Sequence, residues 1–503
     1  MLARFRKDKT PLPSRFTYPI SKFMGIDAKS EQSGMPLSYA CYAYNIAFRD
    51  EKLTAGPGLE RGKYADSQGV TRTLPNLTSL AQFFKKMYFY RKYNYQTDTR
   101  EDKLLVHTLS DRLFVCDFKG SPFTEVTQEA NIPEGANLHC VNYHLDGEDV
   151  LLMYLSCGGM RVYNGQSFTA YQNAPAAGSV CVHYERAWLT QYKSGNKLWF
   201  SDDLNPVDFT PETGKGGYIT FPDDGGELLA VISFKDYIYV FREFCIHRLT
   251  AYTDPADYKL TRVFVTNNKI YPGSIQATSD KIIFYAQDGF YAFDGYTAVK
   301  VYENITPLIE SMEHAAVCFF DQKYIVAARM KKEGEEKIGD EALAPYKNNC
   351  IITFDQLTGA VGIMRGADAG GFVPVNIENI CGVYVSCNNF RGCDIYKLTG
   401  DGKLDNVPLK KLWRSPLSNL TGIDKYKILR SVFISCYHAA KLKVTYDEGQ
   451  SEYDLAATAK PQRVPINKKC DSVALSVYSD EEHFFVSSLQ LNFDLMRYYY
   501  ANK

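Results

Sequence analysis

The stretch KIIFYAQDGFYAFDGYTAVKVY, residues 281–302, contains the most informative pattern in the sequence. An apolar strand precedes a hairpin in which an aromatic residue lies just before an Asp-Gly turn, and a second short strand follows. Asp-Gly and Asn-Gly pairs favour the tight turns that join hairpin strands. Comparable hairpins occur at residues 112–123, 160–171, 350–361 and 393–404. This recurrence predicts an all-β chain.

Seven apolar strands come before or between these hairpins, at residues 104–109, 150–155, 187–192, 237–243, 281–286, 324–330 and 382–387. Their starts lie 37 to 58 residues apart. Periods of about 40–50 residues with four strands each are typical of β-propeller blades. We therefore predict a β-propeller of six to eight blades. A run of unrelated hairpins in a sandwich or barrel is the alternative.

The two ends of the chain differ in character from this repeat. Residues 1–75 hold many turn residues and one strand region, PLSYACYAYNIAFRD, which predicts an extended N-terminal arm. Residues 76–410 carry the propeller. Residues 411–503 contain four strand-like segments, KYKILRSVFISC, AKLKVTY, SVALSVYS and FFVSSLQLNFDLMRYYY, which predict a C-terminal β-sandwich. The charged segment 331–346 is expected to be a solvated loop within one blade.

Composition excludes several classes of protein. The 503 residues include 57 Lys and Arg against 58 Asp and Glu, a net charge of −1 that argues against wholesale disorder and a strongly basic nucleic-acid binder. No apolar run reaches the ~18 residues of a membrane span. The basic N-terminus is followed by no apolar signal region, so we expect synthesis in a host cytoplasm without secretion. The 13 scattered cysteines fit reduced thiols.

The common catalytic and metal-binding motifs are absent from the sequence. GPGLERG, residues 56–62, lacks the spacing of a phosphate-binding loop and is expected to be a plain turn. There is no His-Glu-x-x-His helix, no Gly-x-Ser-x-Gly elbow and no calcium loop. We expect no enzyme activity, no cofactor and no metal. If zinc were found, His139, Cys140 and His144 would be examined first.

The segment FFKKMYFYRKYNYQ, residues 83–96, interleaves basic and aromatic residues. Such a mixture can bind single-stranded nucleic acid through stacking and charge. It also suits a protein interface, or an amphipathic strand of the first blade. The candidate contact residues are Lys85, Lys86, Tyr88, Tyr90, Arg91 and Lys92.

Residues 188–305 resemble a known family. They contain WLTQYKSGNKLWFSDDLNPVDF, then GGYITFPDDGGELLAVISFKDYIYVFREFCIHRL, then KIIFYAQDGFYAFDGYTAVKVYENI. This order resembles the propeller of bacteriophage tail hub and nozzle proteins, including the packaged-DNA stabilisation type. The N-terminal YNIAFRDEKLTAGPGLERG and the C-terminal FDLMRYYY are similar to these proteins as well.

The resemblance implies a structural protein of the virion tail, placed in a hub, nozzle or neck ring that retains and conducts packaged DNA. Its partners would be further copies in a ring, six-fold by analogy, other tail or neck proteins, and transiting double-stranded DNA without sequence specificity. Such proteins are not enzymes, so no catalytic residues carry over. The alternative function is a binding propeller that recognises a host-surface glycan or protein.

Overall fold

The computed structural model describes residues 14–66, 68–75, 83–118, 123–193, 195–212, 215–252, 254–332, 347–377, 380–389, 392–420, 427–458 and 460–495. Strands account for 58% of the protein and helix for 4%, so the all-β prediction is confirmed. The chain forms two compact units, Leu59–Gly359 with Met364–Thr399, and Met1–Gly58 with Ala360–Ile363 and Gly400–Lys503. We call them the seven-sheet unit and the terminal unit. No helix among the described residues is long and apolar enough to cross a membrane.

The seven-sheet unit is a series of antiparallel sheets whose strands are given below in hydrogen-bonding order. Sheets 1 to 6 have four strands each, and the four strands given for sheet 7 are part of a six-stranded sheet. The first four sheets are as follows: sheet 1, Phe84–Tyr90, Lys103–Thr108, Leu113–Asp117 and Thr124–Glu125; sheet 2, Leu138–Leu145, Glu148–Leu155, Met160–Tyr163 and Phe168–Tyr171; sheet 3, Ala177–His183, Arg186–Gln191, Lys197–Phe200 and Gly217–Thr220; sheet 4, Leu228–Phe234, Tyr237–Arg242, Cys245–Thr250 and Lys259–Val265.

The remaining three sheets continue the series: sheet 5, Gln276–Ala277, Ile282–Ala286, Gly289–Phe293 and Ala298–Val301; sheet 6, Ile309–Phe320, Lys323–Met330, Cys350–Asp355 and Val361–Arg365; sheet 7, Asp368–Val375, Gly382–Asn389, Gly392–Thr399 and Gly58–Arg61. The second strands of the seven sheets coincide with the seven repeated strands found in the sequence. The charged segment 331–346, predicted as a solvated loop, lies outside the described residues from 333 onward.

The fourth strand of sheet 7 comes from the start of the chain. Gly58–Arg61 lies beside Gly392–Thr399, and the Gly62 amide donates to the Ile395 carbonyl at 3.0 Å. The expectation of a plain turn at residues 56–62 is therefore wrong. Leu59 is fully buried there, and this burial favours an extended strand over an exposed turn.

Each sheet contacts the next in the series, and the last sheet contacts the first. Separate clusters bridge sheets 1 and 2, 2 and 3, 3 and 4, and 4 and 5. Phe290 of sheet 5 contacts Phe354 of sheet 6 with ring centroids 5.1 Å apart, and the Asn348 amide donates to the Ala369 carbonyl between sheets 6 and 7. A further cluster joins Val373 and Tyr384 of sheet 7 to Phe84 and Leu104 of sheet 1.

The turns between first and second strands, and between third and fourth strands, lie at one end of each sheet because neighbouring strands are antiparallel. Hydrogen bonds join these turns between adjacent sheets. Tyr143 Oη donates to the Glu185 carbonyl at 2.6 Å, Lys235 Nζ to the Asp294 carbonyl at 3.2 Å, and Ser279 Oγ to Gln322 Oε1 at 3.3 Å. These turns therefore share one surface, which we call the turn end.

The terminal unit consists of two larger sheets and a small hairpin. One sheet has the order Ile46–Arg49, Lys52–Ala55, Phe485–Leu495, Lys427–Cys436 and Gln462–Cys470, with Ser14–Ile20 also paired to Phe485–Leu495; the other has the order Tyr42–Tyr44, Lys411–Arg414, Val473–Ser479, Ala440–Tyr446 and Gly449–Leu455; the hairpin joins Lys403–Leu404 and Val407–Pro408. Residues 14–55, predicted as part of an extended arm, thus supply strands to both sheets. Leu37, Tyr42 and Leu53 are buried in this unit.

Short elements complete the structure. Two ribbons pair Tyr93–Asn94 with Thr99–Arg100 and Lys63–Ala65 with Thr71–Thr73. Among the residues that the structure describes, the helical segments are the α-helix Thr127–Ala130 and the 3₁₀ turns Gln32–Gly34, Asp223–Gly225, Pro255–Asp257, Pro272–Ser274 and Thr306–Leu308.

Candidate interaction surface on the first sheet

The basic and aromatic segment lies on Phe84–Tyr90, the first strand of sheet 1. Lys86 is opposite His107 and Phe84 is opposite Thr108, so a bulge leaves Lys85 out of the register. A bulge bends the strand locally and interrupts its pairing. Lys85 and Lys86 lie in different surroundings: Lys85 is half-buried beside Asp111, whereas Lys86 is exposed.

Tyr88 and Tyr90 connect sheet 1 to sheet 2. Both are buried, and their hydroxyls donate to the carbonyls of Leu138 at 2.6 Å and Asp149 at 2.7 Å. Burial raises the pKa of both phenols, because desolvation disfavours the charged phenolate. The two side chains stabilise the fold and are not free to stack on a ligand.

Lys85 and Lys92 are also engaged within the unit. Lys85 Nζ lies 2.9 Å from Asp111 Oδ1 and donates to the Ala136 carbonyl at 2.8 Å. Lys92 Nζ donates to the Asn164 carbonyl of sheet 2 at 3.0 Å. Binding a phosphate through either ammonium would require breaking these contacts.

Lys86 and Arg91 are the exposed cations of the segment, and neither side chain has an ion pair among the described residues. Lys86 Nζ lies 5.7 Å from the Tyr88 ring centre, and the Arg91 guanidinium carbon lies 6.0 Å from the Phe89 ring centre. The Lys86 side chain is exposed, but neighbouring protein atoms remove part of its hydration. This desolvation lowers the pKa of its ammonium. Arg91 is the better candidate for an external contact.

A shallow cleft of about 310 Å³ lies beside Arg91 at the turn end. Its lining residues are Phe89, Arg91, Lys92, Tyr93, Arg100, Asp102, Asp149 and Asn376. Asp102 accepts from the Lys92 amide at 3.0 Å, and Asp149 accepts from the Tyr93 amide at 2.9 Å. The two carboxylates offset most of the positive charge, so the cleft suits a small mixed polar and aromatic contact better than a phosphate backbone.

The structure thus brings together only part of the predicted site. Arg91 and Lys92 line the cleft, Lys86 lies elsewhere on the strand, and Lys85, Tyr88 and Tyr90 serve contacts between sheets. Arg100, Asp102, Asp149 and Asn376 also line the cleft and were not predicted from the sequence. The Asp146-Gly147 turn signal could have placed Asp149 near a strand start, whereas nothing in the local sequence indicates that Asn376 of sheet 7 lies beside sheet 1.

The residues named for a possible zinc site do not converge. His139 and Cys140 are consecutive on one strand and point to opposite sides of the sheet. His144 Nδ1 lies 2.9 Å from Asp149 Oδ1 at the surface. Burial, helped by Lys86, lowers the pKa of His139 to about 3. No group of three metal-binding side chains occurs in the part of the chain that the structure describes.

Comparison with known proteins gives no family. No family model matches the chain, and no curated protein matches it. Solved structures with some similarity are Chaetomium thermophilum Raptor (11% identity, 69% of this chain and 30% of that chain, TM-score 0.44) and BBS1N in complex with ARL6DN (8%, 63% and 97%, 0.40). A third is the Neurospora crassa Pan2 WD40 domain (10%, 64% and 90%, 0.34). The match therefore spans under a third of the Raptor chain, and likenesses this weak carry no functional argument.

Proposed function

We propose that the seven-sheet unit is a seven-bladed β-propeller, that the terminal unit is a β-sandwich, and that the chain is a structural component of a bacteriophage tail. In this proposal it forms part of a hub, nozzle or neck ring that retains and conducts packaged DNA. The ring is six-fold by analogy, and the protein is located in the virion tail after synthesis in the host cytoplasm. Other tail or neck proteins are its neighbours.

The observation that carries the proposal is the position of the residues that resemble the phage family. Three short elements of that resemblance are Phe-Ser-Asp at 200–202, Asn-Pro at 205–206 and the Asp-Gly hairpin at 294–295. Ser201, of the Phe-Ser-Asp element, is buried and accepts from Arg186 through its carbonyl at 2.7 Å. Pro206, of the Asn-Pro element, accepts from Tyr154 of sheet 2 at 2.7 Å. Gly295, of the Asp-Gly hairpin, accepts from Tyr239 of sheet 4 at 3.2 Å. The first of these contacts lies within sheet 3, and the other two join neighbouring sheets. Residues of the resemblance that hold a sheet together or join two sheets support a shared architecture, which is the kind of likeness a structural protein would keep.

Charge is compatible with this role. Each phosphate that a protein neutralises adds affinity through counterion release, and a conduit must let DNA slide. A chain of net charge −1 avoids strong retention. In the candidate surface, the carboxylates of Asp102 and Asp149 offset the cations beside them. This balance is compatible with contacts that do not bind the passing DNA tightly.

The test is to locate the protein and remove it. Mass spectrometry of purified particles should find several copies per virion, and negative-stain images of the purified chain should show rings. Particles assembled without the protein should lose packaged DNA. Absence from particles that otherwise contain the complete tail would overturn the proposal.

A binding propeller that recognises a host glycan or protein is the second candidate, and the cleft beside Arg91 favours it. Phe89 and Tyr93 provide ring surfaces next to polar groups, which is how many sugar and peptide sites are built. Binding of host-surface glycans to the wild-type chain, with loss in Arg91→Ala, would favour this candidate over the tail ring.

A further inference from the structure

The turn end of the seven-sheet unit carries exposed apolar side chains that the fold leaves uncovered. Leu204, Tyr252 and Tyr296 are each more than 60% exposed, and Leu357 is 80% exposed. Tyr184 adds a half-exposed ring on a turn whose backbone is left-handed, with φ of 44°. Exposed apolar groups gathered on one surface mark an interaction site, and tyrosine is enriched at protein interfaces.

This surface is strongly acidic from sheet 2 to sheet 6, in contrast to the cleft on sheet 1, where Arg91, Lys92 and Arg100 balance the carboxylates. In sheets 2 to 6, the described turns of this end hold ten exposed carboxylates, among them Asp146, Glu185, Asp236, Asp254, Asp294 and Asp321, against two exposed lysines. Asp146, Glu185 and Asp236 have no ion pair among the described residues. This charge repels the phosphates of DNA and calls for a basic partner surface.

The terminal unit provides a basic surface of matching character. Gln462–Cys470 is an edge strand, since it pairs with Lys427–Cys436 on one side only. Lys460, Arg463, Lys468 and Lys469 are exposed along it, and residues 456–470 contain no acidic residue. We call this stretch the basic edge.

We propose that the turn end of one copy binds the basic edge of a second copy. The inference rests on the proposed ring, and it names the two surfaces that join its subunits. A contact between two different patches of identical chains is heterologous, and it produces a closed ring when the rotation closes. The exposed tyrosines supply apolar contact area, while the opposite charges select the pairing and its register.

The contact should be electrostatic and therefore sensitive to salt, because exposed charges are screened within about 8 Å at physiological ionic strength. Sedimentation velocity of the full-length chain should show self-association in low salt and dissociation in high salt. Negative-stain images of the low-salt species should show rings rather than open filaments.

Two charge-reversal variants test the surfaces directly. One carries Asp146→Lys, Glu185→Lys and Asp236→Lys, and the other carries Lys460→Glu, Arg463→Glu and Lys468→Glu. Each alone should self-associate at least about tenfold more weakly, since three favourable charge pairs become repulsive. An equimolar mixture of the two should associate again, because each variant retains the surface that complements the other. Glu227→Lys with Glu303→Lys, at the opposite end of the sheets, is the matched control and should behave as wild type.

The outcomes separate this inference from the proposed function. Circular dichroism and thermal unfolding of each variant establish that it is folded. If the wild type forms rings and both charge-reversal variants form them equally well, the surfaces are wrong while the ring stands. If the mixture fails to associate, the inference is overturned. It is also overturned if the wild-type chain uses the turn end to bind duplex DNA instead of a second copy. Detection of the chain in virions tests the proposed function independently of these results.

Discussion

The two units are both antiparallel, but they pair strands that are differently spaced in the sequence. In the seven-sheet unit most strands pair with the next strand along the chain, as when His183 lies opposite Arg186 across the turn Tyr184-Glu185. In the terminal unit Ser14 lies opposite Leu495, and Leu53 lies opposite Val486. The first pattern needs only short loop closures, whereas the second needs segments more than 400 residues apart to come together.

This contrast has consequences for folding. Local pairs form early because closing a short loop costs little chain entropy, and distant pairs form slowly because closing a long loop costs more. Gly58–Arg61 is the exception in the seven-sheet unit, since it completes sheet 7 from more than 300 residues away. We expect pairing within the sheets and packing of neighbouring sheets to come first, and the closure of sheet 7 and the assembly of the terminal unit to come last.

The largest test uses the matched tryptophans Trp188 and Trp413, both fully buried. Trp188 lies 5.2 Å from Phe200 in the seven-sheet unit, and Trp413 lies 5.3 Å from Phe23 in the terminal unit. Replacing either with Ala should cost about 3–5 kcal/mol, because a large cavity remains. Hydrogen exchange should show the loss of protection confined to the mutated unit. Equal loss in both units for either variant would mean that they unfold as one, and the comparison would fail.

The second test compares crowded glycines. A Cβ at Gly273 would overlap the Ala315 carbonyl between sheets 5 and 6, and one at Gly56 would meet the Ile46 backbone within the terminal unit. Gly→Ala at each position should lower the free energy of unfolding by about 1–3 kcal/mol, since backbone must move to admit a methyl group. Gly34, with nothing near its absent Cβ, is the control, and Gly34→Ala should leave stability unchanged. Chemical denaturation measures all three.

The third test concerns pH and should act on the seven-sheet unit. His107 is fully buried, and both ring nitrogens lack a hydrogen bond in the structure. Burial, assisted by Lys85, lowers the pKa of His107 to about 4 from its ordinary 6.5. Below pH 6.5 the His107 imidazole binds a proton in the unfolded state but not in the folded state. The free energy of unfolding is therefore greatest near neutral pH and falls as pH drops towards about 4.

The size of this effect can be isolated by mutation. His107→Leu should remove up to about 2 kcal/mol of the stability difference between about pH 8 and pH 5. His483→Leu, at an exposed position in the terminal unit, serves as the control and should leave the pH profile as in wild type. Denaturant unfolding at the two pH values provides the measurement. An unchanged profile in His107→Leu would assign the acid sensitivity to other groups.

The smallest test removes one exposed ion pair from each unit. Arg262 donates to both oxygens of Asp224 at 2.7 and 2.6 Å in the seven-sheet unit, and Lys22 Nζ donates to Glu51 Oε1 at 2.6 Å in the terminal unit. Asp224→Asn and Glu51→Gln should hardly move the melting temperature, because solvent screens exposed pairs and ordering their side chains costs entropy. A clear fall in melting temperature for only one of the two variants would show that its ion pair stabilises the fold more than its solvent exposure predicts.

The sequence alone determined the strand content and the position of each repeated strand, because both depend on neighbours within about ten residues. Alternating aromatic and aliphatic residues ended by Asp-Gly or Asn-Gly turns are legible wherever strand and turn are adjacent. The second strands Ile282–Ala286 and Lys323–Met330 fall where the repeat predicts them. The basic and aromatic residues of the first strand were also identified, although their contacts were not.

Which distant segments meet could be learned only from the three-dimensional structure. Nothing in GPGLERG indicates that residues 58–61 complete a sheet whose other strands begin at Asp368. Any extended backbone offers the same amides and carbonyls, so the local sequence does not specify the partner strand. The same holds for Ser14–Ile20 beside Phe485–Leu495, and for Asn376 beside Arg91. Burial then assigned the roles of Lys85, Tyr88 and Tyr90 to contacts between sheets. A pattern in sequence specifies the periodicity of a strand, whereas its partner is chosen by the burial and hydrogen bonding of the whole fold.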